Sequence, residues 1–278
     1  MTERLADISA RMDGIGQLGA VVNAMRGIAA ARAQQAIGQL PAADSHAATI
    51  AAAISRVLAM LPSPPPSAHA ANGTALVVFC AEQGFVGAFS EHVLDAIGPD
   101  LATASLLAIG TRGLAMLAER GVEPLWSAAM PGHTQGIPRL ADHIADAVYA
   151  RVAAGEIGAL DAVFSRRGKD HLVHVQRRRL FPLDPGEFHS SAQSNPPLLT
   201  QTPEVLLREL TAEYLHAQLC AIALHAFAAE NEARMEAMAM AHGQIDRQLA
   251  ALRATQRRVR QDEITAEIIE LAAGAARG

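Results

Sequence analysis

One six-residue segment of this chain stands where many α/β proteins bind phosphate. Residues 82–87 (EQGFVG) follow the short apolar run 74–80 and precede a helical pattern. A glycine-containing turn between a strand and a helix can present backbone N–H groups to an anion. However, the complete GxGxxG and GxxxxGK(S/T) spacings are absent, and the carboxylate of Glu82 would repel a phosphate. The segment is therefore interpreted as a turn, with nucleotide binding as the alternative.

The other reactive side chains do not form a recognisable catalytic set. His171 and His174 alternate with apolar residues on a predicted strand and share no face with a carboxylate. Arg177, Arg178 and Arg179 could bind an anion or an acidic partner, although an arginine-rich strand edge more commonly discourages aggregation. No Ser/His/Asp or Cys/His arrangement and no metal-ligand spacing is present. We therefore expect no active site, no cofactor and no metal.

Composition and charge exclude several classes of protein. The net charge of -5 provides no basic surface for nucleic acid, and the low aromatic content of 4% with abundant alanine favours packed helices over an all-β core. Cys80 and Cys220 lie in apolar stretches far apart, which is typical of reduced thiols. No signal peptide and no membrane-spanning run is recognisable. We expect a soluble protein that faces the cytoplasm and reaches membranes only through partners.

The N-terminal segment, residues 1–61, has the pattern of a coiled-coil helix. Its apolar residues recur every seven positions, at Ile8, Ile15, Val22 and Ala29. A break is predicted at residues 38–41, because proline disfavours helix at the residue before it. The proline-rich segment 62–73 is predicted to be a linker.

Residues 74–183 show alternating strand and helix patterns. Short apolar runs predict strands at 74–80, 106–110 and 160–165, and an alternating pattern predicts another at 171–181. Helices are predicted between the first three strands. This order predicts an inserted Rossmann-like α/β domain with a mostly parallel sheet, followed by a loop at residues 184–202.

The C-terminal segment, residues 203–278, is predicted to be one long coiled-coil helix. It has no proline after Pro203, and Met238, Ile245, Leu252 and Val259 lie seven residues apart. Such a helix would be about 110 Å long, whereas a globule of this size has a radius of gyration of about 19 Å. The helix must therefore project, and its narrow apolar stripe requires one partner helix. We expect it to form an antiparallel coiled coil with the N-terminal segment. The α/β domain is inserted between these two segments in the sequence.

Four stretches of the chain resemble the ATP synthase gamma subunit family. Residues 229–238 (AENEARMEAM) are similar to the family pattern SE-x-x-ARM-x-AM, and residues 260–271 (RQDEITAEIIEL) with 274–276 (GAA) to RQ-x-x-IT-x-E-h-x-E-h-x-x-GA, where h is apolar. Residues 23–32 (NAMRGIAAAR) are similar to T-x-AM-x-MVA-x-x-K, and residues 82–89 (EQGFVGAF) to D-x-GLCGGLN. The resemblance covers essentially the whole chain and is strongest at the C-terminus.

The resemblance implies a non-catalytic rotor, the central stalk of a rotary ATP synthase or ATPase. Its partners would be the α and β subunits, the epsilon subunit and the ring of c subunits, at the cytoplasmic face of the bacterial inner membrane. Ion-driven rotation would then be coupled to ATP synthesis or hydrolysis on the β subunits. Matching motif positions imply that Met25, Arg260, Gln261 and Thr265 contact a loop of the β subunits.

The chain also departs from the family pattern. Residues 14–22 (GIGQLGAVV) replace a polar, lysine-rich stretch, and Arg32 takes the place of a lysine. These departures suggest a variant rotary ATPase, such as the alternate sodium-type branch of some bacteria. Two other classes of function stay open: a nucleotide-binding α/β enzyme with helical dimerisation arms, and a self-associating coiled-coil scaffold.

Overall fold

A computed structural model describes residues 5–61, 73–168, 173–184, 186, 188 and 198–275. The helices are α1 (Leu5–Leu58), α2 (Phe89–Ile97), α3 (Thr111–Glu119), α4 (Ile137–Ala153) and α5 (Pro203–Ala275). The strands are β1 (Thr74–Phe79), β2 (Ser105–Ile109), β3 (Trp126–Ala128), β4 (Ala159–Arg167) and β5 (Val173–Phe181). Two short 3-10 helices cover Gly98–Ala102 and Thr134–Gly136. The predicted linker at 62–72 and most of the predicted loop at 184–202 lie outside the described residues.

The chain divides into two compact units. The smaller unit contains Met1–Ala29 and Arg234–Gly278, and the larger one contains Ala30–Ala233. Helices α1 and α5 each contribute residues to both units. The division into the five segments 1–61, 62–73, 74–183, 184–202 and 203–278, which was made from the sequence, stays a prediction. Among the described residues, no helix is both long enough and apolar enough to cross a membrane.

The larger unit is built on a mostly parallel sheet, as predicted. Its strand order is β3-β2-β1-β4-β5. The first four strands run parallel, and β5 is antiparallel to β4. The predicted strands correspond to β1, β2, β4 and β5, although residues 171–172 lie outside the described part. Strand β3 was not predicted, because its three residues form no apolar run and none of them is fully buried.

Helices cover both faces of the sheet, which explains why β1 reads as a continuous apolar run. One face packs against α4 and parts of α1 and α5, in a cluster that includes Val77, Ile144 and Leu219. The other face packs against α2 and α3, in a cluster that includes Leu76 and Leu117. Every residue of β1 after Thr74 is buried, as expected for a parallel strand with helices on both sides.

Helix α1 continues through Pro41, so the predicted break at residues 38–41 is wrong. Proline in a helix interior removes one backbone hydrogen bond and costs about 3 kcal/mol. In compensation, Ala36 is fully buried in the sheet cluster, and Ile37 and Leu40 pack against the same cluster. This burial keeps the turns beside Pro41 helical, so tertiary packing outweighs the local preference.

The smaller unit is the predicted antiparallel coiled coil of α1 and α5. One of its clusters buries Val22, Met238 and Ile245, and the residues packed against them are Ile15, Met25, Ala241 and Leu249. The side-chain amide of Gln256 donates to the Ser9 hydroxyl at 3.0 Å. A Cβ atom on Gly19 would lie 3.2 Å from Ile245 Cγ2, so this glycine permits close approach. Residue numbers thus rise along α1 as they fall along α5.

We predict that Ile245→Ala destabilises the full-length chain by about 2–4 kcal/mol, because it leaves a cavity in the coiled coil. The matched control is Met240→Ala, since Met240 lies on the same helix with 70% of its surface exposed. Urea denaturation followed by circular dichroism measures both changes. Equal effects of the two substitutions would contradict the assigned packing.

Candidate functional site

Three of the four predicted contact residues lie together near the end of α5. Arg260, Gln261 and Thr265 are all exposed, and helical geometry places them within an arc of about 140°. The Thr265 hydroxyl donates to the Gln261 backbone carbonyl at 2.8 Å. Within the described part of the chain, Arg260 has no ion pair. The guanidinium of Arg260 and the amide of Gln261 are therefore available to a partner.

The fourth predicted residue, Met25, lies elsewhere on the coiled coil. It is half-buried and packs against the cluster around Val22 and Ile245. The antiparallel register places Met25 opposite approximately residue 240 of α5, about 30 Å along the helix from Arg260. The structure therefore does not bring Met25 together with the other three residues. Met25 belongs to a separate level of the same coiled coil.

The end of α5 also exposes apolar residues that were not predicted as a contact surface. Ile264, Ile268, Ile269 and Leu271 have exposed fractions of 51–75%. The sequence contains a signal for them, because continuation of the seven-residue stripe beyond Val259 would fall on Ala266. The four apolar side chains thus lie off the stripe that faces α1. We call them the apolar tip.

The segment after β1 adopts a turn, in agreement with the favoured interpretation of residues 82–87. Phe85 has φ 61° and Gly87 has φ 60°, a left-handed conformation that glycine adopts without strain. The Glu82 carboxylate accepts hydrogen bonds from the Thr111 backbone N–H at 3.0 Å, the Thr111 hydroxyl at 2.6 Å and the Met130 backbone N–H at 2.8 Å. Glu82 therefore supplies a carboxylate of this chain to the N-terminus of α3.

Helix α5 lies at the position where doubly wound sheets usually bind a ligand. In doubly wound sheets the ligand binds where the strand order reverses, which here is the crevice at the carboxyl ends of β1 and β4. The Gln83 backbone N–H donates to Glu230 at 3.4 Å, and Arg167 donates to Glu232 at 2.8 Å. With Glu82 at α3 and carboxylates of α5 in the crevice, this edge is acidic and filled. That arrangement disfavours the nucleotide-binding alternative.

The predicted arginine cluster is largely engaged within the protein. Asp161 is almost completely buried and pairs with both Arg177 and Arg179. Arg177 also donates to Asp100 at 2.6 Å, and this hydrogen bond is the largest cause of the raised pKa of Arg177. Of the two predicted histidines, His171 lies outside the described residues and His174 is exposed. No group of acidic, histidine and cysteine side chains in the described ranges could hold a metal.

A cysteine, a histidine and an aspartate do approach one another on α5 and α4. Cys220 Sγ lies 3.8 Å from His216 Nε2 and 4.0 Å from His216 Nδ1, and Nε2 lies 3.1 Å from Asp142 Oδ1. Burial raises the pKa of the Cys220 thiol to about 11, which keeps it protonated near neutral pH. The group is therefore not an activated nucleophile.

Comparison with known sequences identifies one family over nearly the whole chain. The family model described as ATP synthase matches residues 4–277. The ATP synthase gamma chain of Chlorobaculum tepidum is 25% identical, with 98% of this chain and 97% of that protein covered. The ATP synthase gamma chain of Desulforamulus reducens is 26% identical, with 97% of each chain covered.

Solved structures share the fold. A chain from the rotor of the Euglena gracilis mitochondrial ATP synthase superposes with a TM-score of 0.65 at 10% identity, covering 94% of this chain and 98% of that chain. A chain from the central stalk and c-ring structure of the Tetrahymena thermophila mitochondrial ATP synthase gives a TM-score of 0.55 at 16% identity, covering 80% and 99%.

We predict that Glu82→Ala destabilises the chain by about 1–2 kcal/mol, because it leaves the N–H groups of Thr111 and Met130 without their acceptor. Glu119→Ala is the control, since Glu119 is exposed at the other end of α3 and should change stability by less than about 0.5 kcal/mol. Chemical denaturation of the full chain compares the two. A Glu82 variant as stable as the control variant would refute the capping role.

We predict slow alkylation of both cysteines in the folded chain between pH 7 and 9. Burial raises the pKa of Cys80 from its ordinary value of 9.0 to about 12 and that of Cys220 to about 11. The folded chain therefore holds these protons more tightly than the unfolded chain. The contribution of the two protonated thiols to the free energy of unfolding is therefore complete below about pH 9 and is lost as pH rises toward 12. Mass spectrometry after iodoacetamide treatment measures the rates, and rapid native labelling at pH 8 would contradict the burial.

Proposed function

This chain belongs to the ATP synthase gamma-chain family, and we propose that it is the central-stalk rotor subunit of a rotary ATP synthase or ATPase. The single observation that carries the proposal is the match over residues 4–277. That range includes both helices of the coiled coil and the complete α/β unit. A rotor needs both parts, because one receives the driving torque and the other delivers it.

The coiled coil delivers the torque to the catalytic subunits. It lies within the alternating ring of α and β subunits, and its turning forces each β subunit through its nucleotide states. Arg260 and Gln261 hydrogen-bond with an acidic loop of the β subunits, and Thr265 lies beside them. Their exposure supports this role, since charge-assisted hydrogen bonds from an arginine are strong and directional. Met25 makes its contact at a separate level of the shaft.

The apolar tip supports the same assignment. Ile264, Ile268, Ile269 and Leu271 expose more than half of their surfaces, whereas soluble proteins rarely leave such a group uncovered without a partner. A ring of subunits around the end of α5 would cover them. Because apolar contacts have no preferred direction, the tip could turn inside that ring while it stays dry.

The α/β unit receives the torque. It contacts the epsilon subunit and the ring of c subunits, through which the chain associates with the cytoplasmic face of the bacterial inner membrane. The chain itself is non-catalytic, because the nucleotide sites lie on the β subunits. The apolar stretch at 14–22, where the family has a polar one, supports assignment to a variant such as the alternate sodium-type branch.

No observation favours the two alternative functions. A nucleotide-binding enzyme would need an open crevice at the end of β1, whereas Glu82 and Glu230 carboxylates occupy that position. A homodimeric scaffold would need its stripe to face a second copy. In the described chain the stripe of α1 already faces α5.

We predict that the triple variant Arg260→Ala, Gln261→Ala, Thr265→Ala pumps at least about twofold fewer ions per ATP in the assembled complex. The reason is that hydrogen bonds to charged groups contribute about 1.5–3 kcal/mol each. Glu263→Ala is the control, because Glu263 lies in the same turn, about 160° around the helix axis from both Gln261 and Thr265. ATP-driven pumping into vesicles, divided by the hydrolysis rate, measures coupling. Coupling equal to wild type in the triple variant would reject these contacts.

A further inference from the structure

The crevice that binds ligands in doubly wound folds holds a helix of the same chain. Ala229 of α5 is fully buried and belongs to the cluster that contains Cys80 and Val163, which lie after β1 and on β4. Glu230 and Glu232 follow in the next turn and are only 3% and 8% exposed. Burying a carboxylate to this degree costs free energy unless the group is hydrogen-bonded, so the hydrogen bonds of Glu230 and Glu232 are needed to hold them in this position.

Two of these contacts connect α5 to both strands of the crevice. Glu230 accepts from the Gln83 backbone N–H after β1, at 3.4 Å, and Glu232 accepts from Arg167 at the end of β4, at 2.8 Å. We call this pair of contacts the crevice clamp. Its first contact is braced further, because the neighbouring Glu82 binds the N-terminus of α3 and the backbone that follows β3.

The apolar contacts of α5 in this part combine small and large side chains. Ala221, Ala223, Ala226, Ala228 and Ala229 are buried beside Leu219, Ile222, Leu224 and Phe227. Apolar contacts are not directional. Ion pairs and hydrogen bonds have specific geometry and can therefore fix register, which is the best-supported role of buried charges.

We propose that Glu230 and Glu232 are positioning residues that lock α5 in the crevice, so that torque on the α/β unit passes into the helix without slippage. The proposal rests on the rotor function above. It assigns a role to Glu230 and Glu232 through contacts within this chain. The crevice at the carboxyl ends of β1 and β4, where related folds bind a ligand, thus holds helix α5 of the same chain.

The test is a charge exchange in the assembled complex. Arg167→Glu and Glu232→Arg alone should each lower the ions pumped per ATP at least about twofold, and the double variant should restore much of the loss. The control is the same charge exchange at the exposed pair of Arg120 and Asp95, whose charged groups are 2.8 Å apart. This exchange should leave the number of ions pumped per ATP unchanged. Unchanged coupling in both single variants, or a loss that the double variant does not rescue, would overturn the proposal.

A second measurement applies even where a charge-exchange variant fails to assemble. Hydrogen exchange of the Gln83 amide in the full-length chain tests this contact, since Glu230 accepts from its N–H. Glu230→Ala should speed exchange of that amide about tenfold, as resolved by peptides that begin at residue 80 or earlier, and Glu236→Ala, on the same helix, should not. Unchanged exchange would overturn the clamp. Failure of the wild-type chain to join α and β subunits would instead reject the rotor function and leave this exchange result decisive for the clamp.

Discussion

The packing of α5 against the sheet is the interaction on which the rest of the structure depends. Residues from Leu215 to Ala229 of this helix are distributed over the clusters on both sheet faces, and the same helix continues into the coiled coil with α1. One continuous helix therefore contributes to both units of the chain. Helix α1 does the same, so these two helices are the elements that both units share.

Most of the fold follows from two periodicities in the sequence. Continuous apolar runs mark the parallel strands because helices cover both of their faces, and the seven-residue spacing of Ile8 to Ala29 and Met238 to Val259 marks two helices that pair along one stripe. Local rules failed where distant packing decides the outcome. Pro41 stays inside α1 because Ala36 and its neighbours are buried against the sheet, and no local pattern contains that information.

The candidate site was predicted from the sequence less completely than the fold. Arg260, Gln261 and Thr265 were correctly expected on exposed helix surface near its end, while their contact with a β subunit remains a proposal. Sequence spacing could not show that Met25 lies at a different level, because that depends on the register between helices distant in sequence. Glu82 was expected to repel an anion from the turn. In the structure its carboxylate instead accepts from the N-terminus of α3, a role that depends on contacts with residues about 30 and 50 positions away.

Native mass spectrometry of the complex purified through this chain tests the central claim most directly. The rotor account predicts one copy of the chain with three α and three β subunits, because an asymmetric shaft can act on only one catalytic ring at a time. A stable homodimer that contains no α or β subunit would contradict the account.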